Sequence, residues 1–348
     1  MSEKKRFLEL DVFRGIAALW VAMFHFTLRF DQAFLDQPIP LKPFLDGTYG
    51  VQLFFMISGF VILMTLQRSR SAVDFAVHRF ARLYPAYWLS LALACLLITL
   101  APLPNQVLTP VQVAANATMV QRFLFIGDID GVYWSLAVEL AFYALMIGVF
   151  LCRAVHRILF VCCAWLVVVA LWRASAAMGV YLPGRVGELL IVQYAQFFVC
   201  GIVFFDAWSR DDWKPIHTLL LVASVLTQAS IVGVWKTIPM LLFCAMFALA
   251  ITGRMTAIRK PFLIWLGVIS YPFYLTHQMI GYRVIRLGDD LGMSRFLFVP
   301  VAIVASLAVA ALINKAVEKP ALRAIRGWYD RGGVNPKREL AVGKAAKV

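Results

Sequence analysis

The chain has 348 residues, of which 62% are hydrophobic and only 15% charged, with Lys and Arg outnumbering Asp and Glu by 33 to 19. A water-soluble domain of this length must wrap its core in polar surface, and this composition excludes one. The bases fall in short clusters between apolar runs, where they report membrane orientation and not nucleic-acid binding.

The first apolar stretch has the outline of a signal peptide. Arg14 and His25 lie in or beside it, however, and no small-residue cleavage site follows, so it reads as a retained first span. A span takes about 20 mostly apolar residues to cross a hydrocarbon core about 30 Å thick. Segments near 12–30, 48–66, 83–101, 132–151, 157–177, 189–208, 217–234, 236–253, 262–283 and 296–314 meet that need. The fold class is therefore all-α, a polytopic transmembrane helical bundle of about ten spans. The segment 111–126 is short and interrupted by Asn116, Gln121 and Arg122, which suits a re-entrant or interfacial piece. Its setting, the connection 102–131, is long enough to suggest a functional loop. Residues 1–326 form the membrane domain, and 327–348 read as a flexible basic tail.

Placing the N-terminus inside puts 24 of the 33 bases on the inner side. That bias predicts a multi-pass protein with both termini in the cytoplasm, the expected membrane being a bacterial cytoplasmic (inner) one. The six cysteines lie in or beside apolar segments without a C-x-x-C pair, so they read as packing residues, with no disulfide framework or metal site.

Ionisable groups inside spans are costly and mark function by default. Arg14 and His25 are eleven residues apart. They share one face of the first helix, separated by about 16 Å of rise. His25 and His277 each lie roughly 20 Å above an inner span end, and Glu139 roughly 10 Å below an outer one. The expectation is that all three share a level nearer the outer face. His25 reads equally well as a buried imidazole bonded to a neighbouring helix or as a general base. Glu139 either neutralises a buried arginine or orients a histidine. His277 leans toward a structural role. Arg79 and Arg82 share a helix face beside Tyr84 and Pro85, a guanidinium fork suited to phosphate, with anionic lipid headgroups as the alternative partner.

Five stretches carry a family likeness. They are Leu10-Asp11-Val12-Phe13-Arg14-Gly15-Ile16-Ala17-Ala18 with His25, and Gly50 to Phe60 including Ser58-Gly59. The others are Arg79-Phe80-Ala81-Arg82-Leu83-Tyr84-Pro85, Tyr133-Trp134-Ser135-Leu136-Ala137-Val138-Glu139, and Ser270-Tyr271-Pro272-Phe273-Tyr274-Leu275-Thr276-His277. Over residues 8–320 the chain resembles the acyltransferase 3 family of membrane O-acyltransferases. The resemblance implies transfer of an acyl group, often acetyl, from cytoplasmic acyl-CoA to a hydroxyl of a surface polysaccharide, lipopolysaccharide or other glycan precursor. It implies His25 as the essential histidine and Arg14, Arg79 and Arg82 as contacts to coenzyme A. Beside it, the residues leave His25 as either the base or a transient acyl carrier, with Glu139 holding the imidazole or the local charge. Trp134, Ser135 and His277 are the candidates for the acceptor site, while Ser58, Gly59 and Tyr274 suit close helix packing. The expected partners are the lipid bilayer, the coenzyme A donor, a glycan acceptor and glycan-assembly proteins. A transporter or flippase using a His/Glu proton relay is the rival reading, and it lacks the internal repeat such folds often show.

Overall fold

The computed structural model describes residues 7–34, 46–104 and 106–331. Among the described residues the secondary structure is helical, without a strand. Helix α1 (Leu8–Phe24) continues through a π-helical turn (His25–Arg29) into α2 (Phe30–Phe34). Next come α3 (Thr48–Leu66), α4 (Ala72–Leu100), the short α5 (Pro110–Ala117), α6 (Trp134–Leu151) and α7 (Ile158–Ala177). The chain continues into the short α8 (Gly184–Leu189), α9 (Ala195–Arg210), α10 (Pro215–Val232), α11 (Ile238–Ile251) and α12 (Pro261–Asp290). Helix α13 (Arg295–Ile313) runs through a second π-helical turn (Asn314–Glu318) into α14 (Lys319–Arg331).

Every segment expected to span coincides with a helix, but length and hydropathy qualify only seven stretches for a membrane crossing, not ten. The shortfall has physical causes. Helix α11 has 14 residues and α9 has 16. All of α9 from Ala195 to Ala207 is buried, so it crosses protein and presents little to lipid. Helix α12 is long, with 30 residues, yet carries Ser270, Thr276 and His277 on its buried face.

Two boundaries move. Helix α4 begins at Ala72 instead of near residue 83, because Ser71 caps it by accepting from the Asp74 backbone N–H at 3.0 Å. Arg79 and Arg82 consequently lie inside a helix and not at its mouth. Helix α14 carries the chain through Gly327 to Arg331. Residues 332–348, Lys42 and the basic cluster 4–6 lie outside the described residues.

The segment 111–126 folds as α5 and a 3-10 turn (Gln121–Leu124), too short to cross a membrane. It is held on α4 by Tyr87 Oη, which donates to the Asn116 carbonyl at 2.6 Å, and by Trp88 Nε1, which donates to Ala117 O at 2.9 Å.

Helix α1 lies between α3 and α12. Close approach comes from glycines: a Cβ on Gly267 would collide with the Asp11 carbonyl, and one on Gly15 would press on Leu266. Helices α3 and α9 meet the same way, with Gly201 against Met56 O and Gly59 against Phe198 O. Where lipid offers no hydrophobic drive between helices, such small-residue contacts supply the packing.

Pro272 inside α12 lacks the N–H that would satisfy the Val268 carbonyl one turn back. Asn314 Nδ2, from the second π-helical turn, donates toward Val268 O at 3.4 Å. The same amide donates to Glu318 Oε2 at 2.8 Å. A proline in one helix thus fixes the π turn of another.

The packing makes a prediction. Gly201→Val places side-chain atoms on the Met56 backbone and should cost at least about 2 kcal/mol. A melting curve in detergent should show a clear drop in midpoint. Gly148→Ala, where nothing lies within 4 Å of the new Cβ, should leave the midpoint unchanged or raise it.

Candidate active site

A cavity of about 110 Å³ lies between α1, α3, α4, α6 and α12. Arg14, Arg79 and Arg82 line it at the rim that carries the start of α1, together with Ser58, Glu139 and Tyr143. At the other end it closes at Val51, Phe54 and Tyr274. The three arginines singled out from sequence are therefore brought into one site.

Their charges are unevenly matched. Arg82 Nη1 donates to Glu318 Oε1 in an ion pair whose carboxylate is only 1% exposed. Arg14 stands 3.6 Å from Asp11. Arg79 has no carboxylate at ion-pair distance among the described residues: its Nη2 makes a 3.5 Å contact to Thr65 Oγ1, its side chain also engages Tyr143, and its Nε is buried without an acceptor.

Glu139 is not where the sequence placed it. Its Oε1 accepts from Tyr143 Oη at 2.6 Å and from Ser58 Oγ at 3.1 Å, and it lies within electrostatic reach of Arg14. No hydrogen bond joins it to His25 among the described residues. The expectation of a common level for His25, Glu139 and His277 fails because α6 does not start at the surface. Asp130, Val132 and Tyr133 just before it are all buried, and Glu139, five residues past Trp134, meets Ser58 midway along α3, while the start of α3 at Gly50 packs on Val21, one turn before His25. Ser58 and Tyr274, expected to serve only packing, carry polar contacts instead: Tyr274 Oη and Ser135 Oγ are 2.6 Å apart, and Tyr274 also donates to Val132 O at 3.1 Å.

His25 and His277 do meet. His25 opens the π-helical turn, a local widening often found at functional sites. His25 Nδ1–H donates to Val21 O at 2.9 Å, and His277 Nδ1–H donates to Tyr274 O at 2.8 Å. Carbonyls only accept, so each Nδ1 carries a proton. His277 Nε2 then carries a lone pair, and it lies 3.1 Å from His25 Nδ1–H. The remaining nitrogen, His25 Nε2, is left with a lone pair able to take a proton. His277 is fully buried with both nitrogens engaged, which makes it a support for His25 and leaves it no free atom for an acceptor.

The pair lies just beyond the cavity. Gly50 packs on Ala17 and Val21, so the cavity's closed end at Val51 is about one helical turn, roughly 6 Å, short of His25. Tyr274, at that end, sits one turn from His277 on α12. Trp134 and Ser135 diverge: Ser135 lines this cavity, while Trp134 faces a separate one of about 550 Å³ with Trp172 and Tyr194.

Glu318 and Asn314 were missed from sequence. The signal was present: Glu318 is the first acid among the bases that come after the last span. Among the described residues no group of three or more His, Cys, Asp or Glu gathers as a metal site.

A family profile described as "Acyltransferase domain" matches residues 7–315. The exopolysaccharide production protein ExoZ of Rhizobium meliloti is 26% identical, the alignment covering 80% of this chain and 91% of that protein. The acyltransferase MdmB of Streptomyces mycarofaciens is 27% identical, covering 91% and 92%. Nodulation protein 10 of Rhizobium leguminosarum is 25% identical, covering 79% and 82%. No solved structure matches.

One buried acid yields a pH prediction. Asp130, just before α6, is fully buried; Oδ1 accepts from Val132 N at 3.2 Å and Oδ2 has no partner. Burial raises its carboxyl from 3.8 to about 7. Between those values the unfolded chain has released the proton and the folded chain retains it. Stability therefore falls as pH rises through that window and levels off above about 7. Asp130→Asn should flatten this part of the melting-midpoint profile and exceed the unsubstituted protein at pH 8. Parallel profiles would show that Asp130 does not titrate there.

Proposed function

This chain belongs to the acyltransferase 3 family of membrane O-acyltransferases, and we propose that it moves an acyl group, acetyl by preference, from acyl-coenzyme A to a hydroxyl of a surface polysaccharide or its precursor. One observation carries the donor half of this reading. Three arginines line the rim of a cavity that runs inward to the foot of a histidine pair. Phosphate is bound well by guanidinium groups, and Arg79 keeps a buried N–H with no acceptor of its own. The narrow cavity suits a slender pantetheine arm, with the nucleotide remaining at the rim. The bias of basic residues toward one side favours a cytoplasmic rim, the side on which acyl-CoA is made. The name of the Rhizobium meliloti relative, an exopolysaccharide production protein, supports a glycan acceptor.

In the proposed reaction His25 Nε2 takes the proton of the acceptor hydroxyl. The hydroxyl oxygen bonds to the thioester carbonyl carbon, the C–S bond breaks, and the coenzyme A thiolate leaves with the proton returned from the imidazolium. His277 accepts from His25 Nδ1–H, fixes the ring orientation and strengthens that bond once the ring is charged. Glu139, held by Ser58 and Tyr143, balances the arginine charge and does not touch the base. Family membership decides against the transporter reading, which asked the same residues to pass protons.

The test is thiol release by the purified protein in detergent, given acetyl-CoA and polysaccharide extracted from cells lacking the protein. Release that requires both substrates, with acetyl appearing on the polysaccharide by mass spectrometry, is the expected outcome. If no acyl group reaches any glycan while coenzyme A binds, the acceptor assignment is wrong. His25→Ala should lower kcat by about 10²–10⁴ while coenzyme A still binds. His277→Phe should lower kcat less, roughly 10-fold to 100-fold, with the acyl-CoA KM unchanged. Near-normal turnover of the His25 variant would remove it from the chemistry.

A further inference from the structure

Two buried nitrogen donors stand out, because they are the only ones among the described residues left without an acceptor: Arg79 Nε and Arg326 Nε. Buried guanidinium N–H groups are seldom left unpaired, since an unmade bond there costs the full desolvation of the donor. Arg79 was expected in the site from its sequence motif. Arg326 was not, and its sequence position, in a basic run after the last apolar segment, suggests no more than inner-side charge.

The fold brings Arg326 in from far along the chain. Helix α14 packs on α4, and the Tyr329 ring meets the His78 ring edge-on at 6.4 Å. His78 immediately precedes Arg79. Arg326 thereby comes within electrostatic reach of both Arg79 and Arg82. The approach is fixed on its other side by the π-helical turn just before α14. Glu318 in that turn pairs with Arg82, while Asn314 holds Glu318 and the Val268 carbonyl freed by Pro272.

Four guanidinium groups thus gather at one rim: Arg14, Arg79, Arg82 and Arg326. Mutual repulsion should drive them apart in a poorly solvated setting; Asp11 and Glu318 form ion pairs with Arg14 and Arg82, while Glu139 and Asp330 act on the cluster at longer range. Two unmet donors within one cluster of four guanidinium groups are what a polyanion would satisfy. We infer that Arg326 is a fourth phosphate contact for the acyl-CoA donor, so that the C-terminal helix α14 forms one wall of the donor site and the Glu318–Arg82 ion pair positions that wall. This rests on the donor reading given above. It adds that the site is built jointly by the third span and the segment after the last one, which are 236 residues apart at the ion pair. Phosphate could also come from a lipid headgroup at the membrane surface, and the experiment separates the two sources.

The experiment titrates coenzyme A, and separately its phosphate-free fragment pantetheine, into the full-length protein in neutral detergent free of anionic lipid. Arg326→Gln should weaken coenzyme A about tenfold or more, the loss of one charged hydrogen bond, and leave pantetheine unchanged. Arg326→Lys should recover most of the loss. Arg79→Ala serves as the control on the underlying reading. If Arg79→Ala weakens coenzyme A and Arg326→Gln does not, the donor reading stands and the inference falls. If neither variant changes coenzyme A binding, the donor reading itself falls, and the inference with it. Equal weakening of coenzyme A and pantetheine by Arg326→Gln would mark a general distortion and overturn the inference. So would normal coenzyme A binding accompanied by lost affinity for phosphatidylglycerol vesicles, which would assign Arg326 to lipid. Melting midpoints recorded alongside ensure that each variant compared is folded.

Discussion

Guanidinium charge held inside a helical bundle is the constraint around which this protein is arranged. A guanidinium removed from water needs acceptors, and the polar side chains near α1, α4 and α12 are placed to supply some of them. Glu318 reaches Arg82, Asp11 stands beside Arg14, and Glu139 lies close enough to balance a share of the remainder. The carboxylates are themselves fixed, Glu139 by Ser58 and Tyr143, and Glu318 by Asn314. Among the described residues Arg79 is the one of the three without a carboxylate at ion-pair distance, and it lines the cavity.

Backbone irregularity does part of this work. Both π-helical turns carry a residue of the proposed site: His25 opens the first, and Glu318 ends the second. A π turn inserts one extra residue and rotates the helix beyond it, which re-aims a side chain without ending the span. Pro272 acts on the same principle. By leaving Val268 O without its helical partner, it gives Asn314 a reason to be polar and buried at a helix crossing. The unbroken polar line from Val268 to Asn314, Glu318 and Arg82 ties α12, the second π turn and α4 together. These are the elements that bear, or directly abut, the histidine pair and the arginine rim.

The helical class, the ten helix positions and the arginine–histidine polarity of the first helix were legible because each depends on local pattern. Apolar length marks a helix wherever it sits, and Arg14 and His25 share a face by arithmetic alone. Depth was not legible. Glu139 was assigned a level by counting from the end of an apolar run, which presumes that the run ends at the surface. Asp130, Val132 and Tyr133, which lead into α6, are buried, and that is a tertiary fact carried by contacts such as Tyr87 to Asn116, not by hydropathy. Seven qualifying spans instead of ten reflects the same limit, since α9 is enclosed by protein and α12 is polar where it faces the site. Glu318, Asn314 and Arg326 were hidden for a different reason: their partners lie in other helices, and inner-side charge already accounts for basic residues there.

The gap between cavity and base gives the proposed chemistry a spatial logic. His25 does not line the space that the arginines open; Phe54 and Tyr274 stand at its end, one turn below. A base sharing an open cavity with bound thioester and water would favour hydrolysis. Separation by roughly one turn means that the thioester meets the base only when an acceptor hydroxyl is presented between them. His277 fits this arrangement, because its buried nitrogen holds His25 Nδ1 and so aims the free Nε2 away from α12. In the proposed reaction the histidine pair then serves the acceptor and the arginines the donor, and Tyr274, bonded to Ser135 on α6, occupies the boundary between the two proposed half-sites.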